Sequence, residues 1–140
     1  MIANFDWKDK TILIAEDDYY SFMYLKEILH HSGIKMIHVE NGLRAFSECI
    51  KNNQIDIVLM DVKMPVINGL ESTRLIKKYK PAIKIIAQTA FAMYDDMSKC
   101  INAGCDDYIT KPIKPEELIL KLEKHFSGKA SEQVEVKFLN

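Results

Sequence analysis

Five short apolar runs recur along this chain, and each is followed by a stretch whose apolar residues return at helical spacing. That alternation limits the fold more than any other feature. A strand, a covering helix and a further strand have one common solution, the right-handed βαβ crossover. The expected strands are residues 11–15, 34–39, 55–60, 83–87 and 108–109. Apolar residues dominate the longer runs, as in a parallel sheet covered on both faces. The first expected helix buries Phe22, Leu25, Ile28 and Leu29 and ends at Gly33. The second carries Leu43, Phe46, Cys49 and Ile50 inward, and the third Leu70, Thr73 and Ile76. The fourth buries Met97, Cys100 and Ile101 and ends at Gly104. Pro115 opens the last helix, with Glu116 and Glu117 in its first turn and Leu118, Leu122 and His125 or Phe126 on its buried face.

Five such units fit a flavodoxin-like, doubly wound α/β fold, with a five-stranded parallel sheet of order 2-1-3-4-5 and helices on both faces. A chain of 140 residues suits one compact domain. It is expected over residues 10–127, after a lead-in of residues 1–9 and before a flexible tail of residues 128–140. Val134, Val136 and Phe138 alternate in that tail but read as unpacked chain. The 19 basic and 20 acidic residues leave a net charge of −1, which argues against a nucleic-acid groove or contact with an anionic membrane. No apolar stretch is long enough to cross a bilayer and no secretory signal opens the chain, so cytoplasmic residence is expected. Cys49, Cys100 and Cys105 lack metal-ligand spacing and are expected to be buried in helix faces.

In an open parallel sheet, ligands gather beyond the carboxyl ends of the strands. The residues there are Glu16-Asp17-Asp18 after the first strand, Asp61 after the third, Thr89 after the fourth and Lys111-Pro112 after the fifth. Clustered carboxylates repel, and a hard divalent cation such as Mg²⁺ relieves the conflict with oxygen ligands. Asp61 is then a candidate nucleophile for phosphoryl transfer. Lys111 supplies a point charge for one phosphoryl oxygen, and the Thr89 hydroxyl a hydrogen bond for another.

The segments Ile12-Leu-Ile-Ala-Glu-Asp-Asp18, Leu59-Met-Asp-Val-Lys-Met-Pro-Val-Ile-Asn-Gly69, Ala87-Gln-Thr-Ala90 and Tyr108-Ile-Thr-Lys-Pro112 closely resemble the response-regulator receiver domain of two-component signalling. The resemblance runs from about residue 10 to residue 126. It implies that Asp61 is the phosphoacceptor and that Asp17 binds Mg²⁺ directly, while Glu16 reaches the ion through water. The Lys63 backbone carbonyl would be a further metal ligand. Thr89 and Tyr108 match the switch pair, Lys111 the phosphate-contacting lysine, and Pro112 the proline that follows a cis peptide bond. Glu16 departs from the commoner Asp, and Asp18 matches no fixed role.

The resemblance implies a signalling phosphoacceptor that catalyses only its own phosphotransfer and dephosphorylation. Its partner would be a histidine kinase or a histidine phosphotransfer domain. The face of the fourth helix, fifth strand and fifth helix would carry the output, with a dimer through that face a further expectation. Two alternatives stand beside it: a degenerate receiver that only docks, and a phosphatase of the haloacid-dehalogenase type. The second needs an acid two places after Asp61, where this chain has Lys63. No effector domain is expected after Phe126. The chain is therefore read as a stand-alone regulator or as the receiver of a hybrid histidine kinase, the latter favoured by the Phe5-Asp-Trp-Lys-Asp-Lys10 lead-in and the Gln88-Thr89-Ala90 and Ala103-Gly104-Cys105 runs, which resemble such receivers.

Overall fold

The computed structural model of the chain describes residues 5–90 and 94–127. Its elements run β1 (Thr11–Ala15), α1 (Tyr19–Leu29), a 3₁₀ turn (His30–Ser32), β2 (Lys35–Val39), α2 (Gly42–Lys51), β3 (Ile57–Asp61), α3 (Gly69–Tyr79), β4 (Lys84–Thr89), α4 (Tyr94–Ala103), β5 (Asp107–Thr110) and α5 (Pro115–Ser127). The five strands form one parallel sheet, as the alternation predicts, and their order β2-β1-β3-β4-β5 is that of the expected flavodoxin-like fold.

The two faces of the sheet bury two separate cores, and strand periodicity decides which residue joins which. Ile12, Ile14, Ile57, Leu59, Ile86 and Ile109 pack with Leu25 and Leu29 of α1 and Leu118, Ile119 and Leu122 of α5. Leu13, Ala15, Val58, Met60 and Ile85 pack on the opposite face with Ala45 and Cys49 of α2 and Ile76 of α3. All of β1 and β3 is buried, so these central strands have no polar side until they reach the rim. Three of the loops leaving that rim end in a helix N-cap: Asp18, Asn41 and Asn68 accept from the backbone N–H groups of Ser21, Arg44, and Leu70 and Glu71 respectively.

Some expected core positions move. Leu43 and Ile50 are exposed, and Gly42, Ala45 and Cys49 form the buried side of α2 instead. Ile101 is also exposed, while Cys100 and Ala103 turn inward. In both helices a small residue brings the backbone close to its neighbours, and a larger apolar residue is left outside. The first helix stops at Leu29 before the 3₁₀ turn, and Gly33, at φ +77°, ends that turn rather than the helix. Cys49 and Cys100 are buried, whereas Cys105 is half-buried beyond the end of α4, with its Sγ 3.9 Å from Thr73 Oγ1. His125 joins neither core. Its Nε2 lies 3.0 Å from Asp107 Oδ2, beside Lys121 Nζ at 2.9 Å from Oδ1. Burial would raise the Asp107 carboxyl, but the His125 and Lys121 contacts outweigh it and hold the group well below the usual carboxylate range.

The expected lead-in is partly structural. Trp7, the single tryptophan, is buried, stacks on Phe5 at 5.1 Å and meets Phe126 edge-on at 5.3 Å. Its indole N–H donates to the buried Glu123 carboxylate over 3.2 Å, and its backbone N–H to the Ser32 carbonyl over 2.8 Å. Residues 1–4 of the lead-in and the tail at 128–140, with Val134, Val136 and Phe138, lie outside the described residues. No helix among the described residues is long and apolar enough to cross a membrane. Trp7→Ala is expected to cost about 3–5 kcal/mol of unfolding free energy in urea titration, the usual range for emptying a large aromatic site. Trp7→Phe, which keeps the ring packing and loses the bond to Glu123, should cost less.

Candidate functional site

The carboxyl ends of β1, β3 and β5 bring the charged residues together. Period-two alternation puts Glu16, Asp61 and Lys111 on the same sheet face as the α1/α5 core, each two residues past a buried isoleucine or leucine. The backbone prolongs the sheet at this rim. Glu16 N–H donates to Val39 O over 3.0 Å, Val62 N–H to Gln88 O over 3.0 Å, and Lys111 N–H to Thr89 O over 2.8 Å. His38 Nε2 lies 2.8 Å from the Glu16 carbonyl, so the imidazole carries its proton there, and the ring stacks on Phe22 at 3.8 Å. This contact, which fixes the end of β1, gives His38 a positioning place that its sequence context did not suggest.

Glu16, Asp17 and Asp61 each offer a carboxylate oxygen, and the three oxygens lie within 4.8 Å of one another. Glu16 and Asp61 are buried, whereas Asp17 is exposed. Lys111 Nζ stands between the two buried acids, 3.0 Å from Asp61 Oδ2 and 3.5 Å from Glu16 Oε1. Asp61 Oδ1 accepts the Lys63 N–H over 3.1 Å, and Glu16 Oε2 accepts the Asp18 N–H over 3.2 Å. Burial first, and then the charge of Asp61, push the Glu16 carboxyl up to about 7, against the pull of the Asp18 N–H and Lys111. Burial alone would lower Lys111, but Asp61 and Glu16 hold it above the ordinary lysine value.

This donor set fits a hard divalent cation. All three groups offer oxygen, two are already out of water, and one buried oxygen, Glu16 Oε1, has no hydrogen-bond partner among the described residues. Of the other sequence-predicted residues, Thr89 is buried at the end of β4 and Tyr108 is half-buried in β5. Tyr108 pairs in register with Ala87, so Tyr108 and Thr89 are diagonal neighbours on the sheet face opposite Asp61 and Lys111. The Lys111-Pro112 bond is cis, as the resemblance implies. The Lys63 side chain is exposed. Asp18, to which the resemblance assigns no role, stays outside the cluster as the N-cap of α1.

The loop after Asp61 is closed at its base. Gly69 N–H donates to Val62 O over 2.9 Å, and a β-carbon at Gly69 would overlap the Asp61 carbonyl oxygen. Val66, at the exposed turn of that loop, has φ +72°, a conformation that a β-branched residue adopts only under strain. Val66→Gly is expected to raise unfolding free energy by about 1 kcal/mol in urea titration, because glycine carries no penalty there.

The raised Glu16 carboxyl makes the cation-free protein sensitive to pH. Between pH 4.5 and about 7 the folded chain keeps a proton that the unfolded chain has released, so stability falls as pH rises through this window. The shift corresponds to roughly 3 kcal/mol. Urea titrations in chelator across this range should show the loss, and Glu16→Gln should flatten it.

Residues 12–123 match the family model described as the response regulator receiver domain. The chain is 32% identical over 118 residues to the polar-differentiation response regulator DivK of Brucella anthropi, covering 83% of this chain and 95% of DivK. It is 40% identical over 116 residues to hybrid signal transduction histidine kinase G of Dictyostelium discoideum, covering 79% of this chain but only 3% of that kinase. It likewise spans 7% of hybrid signal transduction histidine kinase B from the same organism. Among solved structures, it is similar to the receiver domain of the sensor histidine kinase PA1611 from Pseudomonas aeruginosa, which has a magnesium ion coordinated in its active-site cleft. That likeness has a TM-score of 0.78 at 31% identity and covers 84% of this chain and 98% of that one. With the sheet order and the strand-end residues already in place, the chain belongs to the response regulator receiver domain family.

Proposed function

We propose that the chain accepts a phosphoryl group on the Asp61 carboxylate from a phosphohistidine of a histidine kinase or a histidine phosphotransfer domain. The observation that carries this reading is the meeting of Glu16, Asp17 and Asp61 with the Lys111 ammonium at one rim. An Asp61 oxygen attacks phosphorus, the P–N bond breaks, and the departing imidazole nitrogen keeps the electron pair and takes a proton from solvent. Lys111, already 3.0 Å from Asp61, turns its charge to a phosphoryl oxygen, and the Thr89 hydroxyl donates to another. Asp17, Asp61 and the Lys63 backbone carbonyl, with Glu16 through water, would hold Mg²⁺, which when bound neutralises charge on the phosphoryl oxygens. The magnesium in the similar PA1611 receiver supports this choice of ion.

Within this reading the chain is a signalling module that turns over no metabolite. The output is the one the family resemblance implies, and the geometry across the sheet supports it. Thr89 and Tyr108 share one face beside α4, so a hydroxyl drawn toward Asp61 opens space beside Tyr108. The surface of α4, β5 and α5 changes as Tyr108 moves inward, and a partner reads the change. Two architectures among the relatives, a single-domain regulator and a hybrid kinase, both accommodate this module.

Incubation with Mg²⁺ and acetyl phosphate should add the mass of one phosphoryl group, and Asp61→Asn should abolish the gain. Mass uptake that survives that substitution would count against the assignment. In amide chemical-shift maps, phosphorylation should move resonances in α4, β5 and α5 as well as at the rim. Changes confined to the rim would remove the switch from the reading.

A further inference from the structure

Gln88 lies directly across from Asp61 in the register of β3 and β4, so the two side chains stand as neighbours on one sheet face. It is 1% exposed. Its amide Nε2 has no hydrogen-bond partner among the described residues, and the other buried side-chain atom in that condition is Glu16 Oε1. One is a donor and the other an acceptor. Both residues, with Lys111, line a single cavity of ≈ 340 Å³ between α1 and the Lys111–Ile113 segment. Native chains leave few buried donors unpaired, because each has given up water for nothing. A complementary pair of them beside a reactive carboxylate points to a bond made in another state of the site.

The charges indicate which state. Glu16 Oε1 has Lys111 Nζ at 3.5 Å, but that ammonium sits closer to Asp61, at 3.0 Å. When Lys111 follows a phosphoryl oxygen, Glu16 Oε1 loses the ammonium beside it. Resting on the receiver reading, we propose that Gln88 is a positioning residue of the phosphoryl-transfer site. Its side-chain amide takes over Glu16 Oε1 as Lys111 turns to the phosphoryl group, and so keeps Glu16 oriented. A neutral amide suits this task. It donates without adding a charge that would compete with Lys111 or with a cation, and it reaches further than a hydroxyl from the same position.

The test uses the full chain, labelled with ¹⁵N, with Mg²⁺ and beryllofluoride as the phosphoryl mimic. The Gln88 side-chain amide signal, assigned by its loss in Gln88→Met, should move downfield and exchange more slowly with solvent. Gln88→Met should slow phosphorylation by acetyl phosphate roughly tenfold. It should not lower the thermal midpoint, because it removes an unpaired donor at similar volume. The effect should vanish in a Glu16→Gln background, where the oxygen to be held no longer carries charge. An unmoved Gln88 signal, a Gln88→Met chain labelled at the wild-type rate, or a rate loss matched by a lowered midpoint would each overturn the inference alone. A wild-type chain that takes up no phosphoryl group would instead sink the underlying reading, and this inference with it.

Discussion

Three carboxylates are drawn to one rim, two of them out of water, and their mutual repulsion must be held by the rest of the fold. Fully buried β1 and β3 fix the positions of Glu16 and Asp61 because branched apolar side chains on both faces leave those strands no freedom to slide. The Lys111 ammonium offsets part of the repulsion, and the raised Glu16 carboxyl relieves more by keeping its proton up to near-neutral pH. The capped helix starts and the close approach of Gly69 to Asp61 hold the surrounding loops to the same geometry. A site under this electrostatic load favours whatever brings positive charge to it, which is the sense in which such a pocket is prepared for a cation.

The sheet also separates two tasks. Glu16, Asp61 and Lys111 stand above the α1/α5 core, whereas Thr89 and Tyr108 stand on the face that carries α2 and α3. Asp61 ends the central strand between them. Its carboxylate therefore borders groups belonging to both layers. On the α5 side, Asp107 is tied to Lys121 and His125, and Lys121 Nζ also lies 5.5 Å from the centre of the Tyr108 ring. The helix and the aromatic residue thus share a cation. Trp7 secures the far end of α5 through Glu123 and Phe126.

Most of the architecture was legible in the sequence because each central strand is apolar on both faces and each ends in a polar residue with no place in either core. The strand-end acids, Thr89 and Lys111 follow directly from that logic, since residues far apart in the chain meet wherever parallel strands stop. Helix faces were harder to read. Leu43 and Ile50 have the right spacing, but Gly42 and Ala45 allow close approach and take the buried side. Trp7 was missed as a core residue because Phe5 and Trp7, set before the first strand, carry no periodicity, and tertiary contacts with Glu123 and Phe126 give them a place. His38 and Gln88 were equally silent. A half-buried histidine in a strand and a glutamine one residue before a threonine have no pattern of their own, and their importance comes from who stands across the sheet.

The bond between Val62 and Gly69 ties off the segment between them like the neck of a purse. Residues 63–68 lie within that closure and touch both of its ends, Lys63 N–H at Asp61 of β3 and Asn68 as the cap of α3. Lys63 and Val66 carry exposed side chains on this segment, while the Lys63 backbone N–H holds one oxygen of the Asp61 carboxylate. Substitution of those exposed side chains disturbs neither core, so the surroundings of Asp61 can be altered without rebuilding the scaffold.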